Sequence, residues 1–122
     1  MMAMSLDQEH GDRYSLMTGV GGTPGEGPYI SLTLEVVTET GFIMFARATA
    51  NGCPTSIKMG LLLEAVLPGR TTSQVLNLDA GDLTRLMGGV PEGKEYVPEL
   101  AVAAITSALN FVTTRVQMRN II

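Results

Sequence analysis

Cys53 is the one cysteine of the chain, and it stands directly before a proline in Asn51-Gly52-Cys53-Pro54. Proline suits the first position of a helix, where its missing N–H would have had no partner. The spacing therefore puts the sulfur at the start of a helix, where unpaired N–H groups and the helix dipole favour an anion. A thiol so placed ionises more readily, and the thiolate is the form that attacks sulfur, binds metal or reacts with oxidants. The same residue also reads as a small, half-buried hydrophobe at a turn, a common state of free cysteine. One thiol makes no internal disulfide framework and fits a reducing compartment.

The other polar candidates are scattered. Glu26 lies in the glycine-rich stretch and reads either as a ligand brought toward Cys53 or as a solvated loop carboxylate. Lys94 reads as a countercharge for an anion or as a surface lysine, and Tyr96 as a hydroxyl donor or a half-buried loop aromatic. His10, the only histidine, falls in the N-terminal dozen residues, away from every other candidate. Asp79 and Asp82 read as helix-start charges. The glycine stretch 19–27 lacks a following Lys-Ser/Thr and any strand-to-helix setting, so it matches neither phosphate-binding fingerprint. No nucleophile stands beside a base in any hydrolase pattern, so an enzyme is not expected.

The elements that must position these residues follow from periodicity. Residues 13–18 read as a short strand and 19–28 as a loop, because glycine and proline dominate the latter. Tyr29 to Thr38 alternates Ile30, Leu32, Leu34 and Val36 with polar residues, a half-buried strand. Phe42 to Thr49 forms a second strand, joined by a tight connection as an antiparallel hairpin. From Pro54 the period becomes helical, with Ile57, Leu61, Leu62, Ala65 and Val66 as the expected apolar face, and Pro68-Gly69 ends that helix. Thr71 or Thr72 caps a short helix through Leu76, and Asp79 caps another from Ala80 to Met87 before Gly88-Gly89. Pro98 opens the last helix, whose apolar stripe is Leu100, Ala101, Ala104, Ile105, Ala108, Leu109, Val112 and Val116. Strands followed by helices predict an α+β fold, a two-layer arrangement with a three-stranded antiparallel sheet and helices on one face. One domain over 13–118 is expected, with residues 1–12 disordered and 119–122 a frayed tail.

The chain has 122 residues, 45% of them hydrophobic but only 5% aromatic, with eight Met and no Trp. Such a core is aliphatic. The net charge of −4, without any run of Lys or Arg, argues against nucleic acid. The N-terminal residues lack the apolar run of a signal peptide, and no stretch is long enough to cross a membrane. A cytoplasmic protein is expected.

Two segments carry a family pattern: ARATANGCPTSIKMGLLLEAVLPGRTTSQVLNL and VPEGKEYVPELAVAAITSAL. Together they resemble the core of the NifU/IscU-type iron–sulfur scaffold proteins, whose fold is also that of the SufE-type sulfur acceptors. In that family a strand ends in a Gly-Cys-Gly turn, a long helix follows, and a Lys-x-His-Cys loop precedes the C-terminal helix. The resemblance implies a scaffold for iron–sulfur cluster assembly on three cysteines helped by an aspartate and a histidine. Here Cys53 matches the Gly-Cys turn. Glu26 and Pro28 stand where the family has a cysteine and the aspartate. Lys94 matches, while Tyr96 and Val97 stand where the family has histidine and cysteine. Two of the three family thiols are therefore absent.

A [2Fe–2S] cluster takes four ligands, mostly thiolates, and oxygen ligands from Glu26 and Tyr96 suit it poorly. The resemblance thus implies a degenerate scaffold that binds metal or sulfur through Cys53. Its cargo would be an Fe–S cluster, iron or zinc, and its partners a cysteine desulfurase, a chaperone or a second copy. Two further readings stay open: a SufE-like persulfide acceptor, with Lys94 beside Cys53, and a non-catalytic interaction module on the same fold.

Overall fold

The computed structural model describes residues 14–121, with side chains described for 14–109. Residues 1–13, and with them the expected strand start at Arg13, lie outside the described residues, as do the side chains of 110–122, which include Val112 and Val116 of the expected stripe.

Three strands, β1 (Tyr14–Gly22), β2 (Tyr29–Val37) and β3 (Ile43–Asn51), form an antiparallel sheet in the order β1-β2-β3. Four helices follow: α1 (Pro54–Val66), α2 (Thr72–Leu76), α3 (Ala80–Met87) and α4 (Tyr96–Ile121). This is the α+β arrangement expected, with the helices on one face of the sheet. Along β2 the alternation is followed without exception, Ile30, Leu32, Leu34 and Val36 being buried and the residues between them half-buried. Across the layer they meet Met59 and Leu63 of α1 and Ala101, Ala104, Ile105 and Ala108 of α4 in one aliphatic core. Val75 of α2 and Leu83 of α3 close it.

The ends of the short helices are set by local chemistry. The Thr71 hydroxyl accepts from the Gln74 N–H at 3.2 Å, and Gln74 returns the bond to the Thr71 N–H at 2.9 Å. Asp79 and Asp82 make the same reciprocal pair at the start of α3, which satisfies donors that a helix start leaves open. Gly88, at φ 82°, ends α3 in the left-handed region.

Three sequence expectations are corrected. First, β1 does not stop at Thr18; it runs on to Gly22, and Gly19 and Gly21 are strand residues buried against α4. A Cβ on Gly19 would fall inside the backbone of Ala104 and Ala108, and one on Gly21 inside that of Leu100. Glycine is there to bring helix and strand backbones into contact, and composition alone disguised this as a loop. Second, the buried face of α1 is Ser56, Met59, Gly60 and Leu63, not the Ile57–Leu61 line. Ile57 and Leu61 are 53% and 62% exposed. Gly60 lies against Ala48 and Ala50 of β3, so the side of the helix with the least side chain faces the sheet. Third, β3 extends two residues beyond Thr49, its start shifts to Ile43 with Phe42 in an isolated bridge to Thr71, and α4 starts at Tyr96 rather than Pro98. Among the described residues, no helix is long and apolar enough to cross a membrane.

Candidate functional site

Cys53 is the N-cap of α1, at φ −109° and ψ 168°. A residue before proline is pushed into this extended region, so Pro54 both starts the helix and holds the cysteine outside it. The Cys53 carbonyl accepts from the N–H groups of Ser56 (3.0 Å) and Ile57 (3.2 Å), which fixes the turn. Gly52 precedes it at φ 127°, a conformation open in practice only to glycine. A Cβ on Gly52 would also lie 2.8 Å from Cβ of Pro28. The β1–β2 loop therefore folds back onto the turn that carries the thiol.

Two hydroxyls face the sulfur. Tyr96 Oη lies 3.5 Å from Cys53 Sγ, and Ser56 Oγ lies 3.6 Å away. Ser56 is fully buried, and Cys53 and Tyr96 are half-buried against the core. These bonds hold the Cys53 thiol down at about 6, from an ordinary 9.0. Tyr96 is the largest cause and Ser56 the next; burial opposes them, and the backbone N–H groups of Ser56 and Thr55 add smaller lowering contributions. The Tyr96 phenol is correspondingly pushed up, because its proton is engaged by the sulfur. At neutral pH the group is therefore largely a thiolate, a nucleophile and a soft ligand.

The segment before α4 brings Tyr96 to this point. Lys94 N–H donates to Pro91 O and Val97 N–H to Lys94 O, both at 3.0 Å, so residues 91–97 wind directly into the helix. Lys94 Nζ sits 6.0 Å from the centre of the Tyr96 ring, within the range of a cation–π contact. Val97, next in the chain, is fully buried in the core.

The residues singled out by sequence thus divide. Cys53 and Tyr96 are in contact, and Lys94 joins them through the ring. Glu26 is exposed in the β1–β2 loop, with its N–H bonded to Thr23 O at 3.0 Å. From that loop it is Pro28 that reaches the Gly52-Cys53 turn. Among the described residues, no three His, Cys, Asp or Glu side chains converge to hold a metal ion. Ser56 was not anticipated. Its signal was the spacing Cys53-Pro-Thr-Ser56, the N-cap-to-third-residue interval of a capping box.

The family model of the NifU-like N-terminal domain matches residues 5–118. The chain belongs to that family. Its general role is scaffolding of iron–sulfur cluster assembly. No individual curated protein matches the chain. In this NifU-like chain the Gly52-Cys53 turn lies between the last strand and the first long helix. Tyr96, the first residue of the C-terminal helix, brings its phenol to that turn.

Proposed function

We propose that this chain serves iron–sulfur cluster assembly as a single-thiol member of the NifU-like family, receiving sulfur or metal as cargo on Cys53. The supporting observation is the Cys53 sulfur, held at a helix start within reach of the Tyr96 and Ser56 hydroxyls. With one thiolate available, cargo is taken one ligand at a time. For sulfur, the Cys53 thiolate attacks the outer sulfur of a donor's persulfide. A new S–S bond forms at Cys53, the donor's S–S bond breaks, and the donor leaves as a thiolate. No outside oxidant is needed. Tyr96 and Ser56 steady the negative charge before the attack and the persulfide anion after it. For Fe²⁺ or Zn²⁺, Cys53 supplies the thiolate, and ligands from a partner or a second copy complete the shell. A cysteine desulfurase is the partner whose chemistry matches the sulfur route, and a chaperone or a second copy matches release or sharing of a cluster.

The test is anaerobic. The protein is incubated with a desulfurase and cysteine, or with iron and sulfide, and compared with Cys53→Ser. Expected are one added sulfur atom on the peptide containing Cys53, or metal retained through gel filtration, and neither in the variant. An unchanged mass together with metal content equal to that of Cys53→Ser would overturn the proposal. The SufE-like reading shares the sulfur arm of this test and differs in predicting no retained metal.

A further inference from the structure

Helix α1 is apolar on two sides, and the core uses one of them. Met59 and Leu63 are fully buried, while Ile57 and Leu61 are 53% and 62% exposed. A surface helix normally turns polar residues outward, and a helix apolar all round belongs inside a larger body. Residues four apart on a helix are neighbours, so Ile57 and Leu61 make one apolar strip. Pro54, also exposed, extends the strip to the thiol turn.

The other side of the sulfur is acidic. Tyr96 touches Cys53 Sγ there. Glu92 and Glu95 stand just before it and Glu99 lies in the first turn of α4, all three exposed. Of the nearby cations, Lys94 is half-buried with Nζ 6.0 Å from the centre of the Tyr96 ring, and Lys58 is exposed beside Ile57. The thiol therefore lies between an apolar strip and a rim of carboxylates. The described chain enters the sheet at the far end, where Tyr14 pairs with Val37, whereas Tyr29 and Asn51 pair at the thiol end.

We infer that the α1 strip and this acidic rim are the docking surface for the protein that delivers sulfur to Cys53, and that the donor presents its persulfide beside an apolar patch edged by Lys and Arg. The inference rests on the function proposed above. Cys53 is half-buried beside Tyr96 and the buried Ser56, so a persulfide reaches the sulfur only when its carrier closes over the turn. Pro54 and Ile57 are what that carrier meets first. The Cys53 thiolate then attacks the outer sulfur, the new S–S bond forms, and the donor's S–S electron pair leaves on the donor's own thiolate. Apolar contact with Ile57 and Leu61 holds the carrier, and the carboxylates steer it in and set its orientation. The net charge of −4 adds a weaker attraction for a basic surface at longer range. A second copy brought thiol to thiol would set two acidic rims against each other, a repulsion that a basic carrier avoids.

The test uses the full chain, with a cysteine desulfurase charged by free cysteine as the probe, under anaerobic conditions. Sulfur added to Cys53 is followed by mass against time at several desulfurase concentrations. The double variant Ile57→Ala with Leu61→Ala should lower the second-order rate of transfer about tenfold, while alkylation of Cys53 by iodoacetamide keeps its native rate. Leu16→Ala, at a side chain 71% exposed on β1, is the control and should transfer at the native rate. Glu92→Lys with Glu99→Lys, on a separate element, should also slow transfer, and raising the ionic strength should slow the native protein toward that variant. Sulfur transfer to the native protein with both double variants at the native rate would overturn the inference and leave the proposed function standing. Alkylation that falls in step with transfer would place the effect on the thiol itself and overturn it too. A native dimer that the α1 variant turns into a monomer would assign the strip to a second copy, against the inference. No transfer to the native protein would overturn the sulfur route and the docking surface together.

Discussion

Replacing Tyr96 by phenylalanine removes the larger of the two hydroxyls on the Cys53 sulfur and keeps the ring. With the thiol at about 6, roughly nine in ten molecules carry the thiolate at pH 7. Loss of one hydrogen bond to a charged group at a partly solvated site shifts the ionisation equilibrium by roughly tenfold. The thiolate-to-thiol ratio of Tyr96→Phe should fall by about that factor. The midpoint should move up without reaching 9.0, because Ser56 and the backbone N–H groups of Ser56 and Thr55 still lower it. The assay is the pH profile of alkylation of Cys53 by iodoacetamide under pseudo-first-order conditions. An unmoved midpoint would refute the assignment of Tyr96 as the main cause, and a midpoint at 9.0 would refute the contribution of Ser56. The same lowering links to folding. A group whose thiolate is favoured in the folded state contributes stability that is complete above its unfolded value and lost as pH falls through the folded one. The melting temperature of the native protein relative to Cys53→Ala should therefore rise between about pH 6 and pH 9.0 and be level below that window.

Other outcomes follow from the packing. Gly21→Ala drives a methyl into the Leu100 backbone and should cost at least about 2 kcal/mol in urea unfolding. Gly25→Ala, in open space at φ 88°, should cost roughly 1 kcal/mol from backbone conformation alone. Leu32→Ala removes a fully buried side chain and should cost about 2–5 kcal/mol. Leu61→Ala on the exposed side of α1 should stay within about 0.5 kcal/mol of the native protein. A large loss at Leu61 would contradict the burial described for that helix.

Much of this was legible in the sequence where one period had one meaning. The alternation in Tyr29–Val37 can be satisfied only by a strand with one buried face, and Thr71 and Asp79 announce their helices by side chains that reach back to open N–H groups. Helix α1 was harder. Apolar residues occur nearly all round it, so periodicity picked the Ile57–Leu61 side, and the deciding feature was Gly60, whose missing side chain lets the helix settle on Ala48 and Ala50. The glycines of β1 misled for the opposite reason. Their lack of side chains, which usually signals a turn, here serves a helix crossing close above a strand. At the site, Cys53 was visible from its place before Pro54. The contact with Tyr96 joins residues 43 apart in sequence, which no local pattern reports.

The glycine seat under α4 also reaches the sulfur. Tyr96 is the first residue of the helix whose second and later turns rest on Gly21 and Gly19. The phenol is thus placed at one end of a rod that is clamped to the sheet farther along, and its distance to Cys53 is set by that clamp. Loosening the seat would let the rod tip, so the acidity of the thiol acts as a gauge of backbone contact two strands away from it.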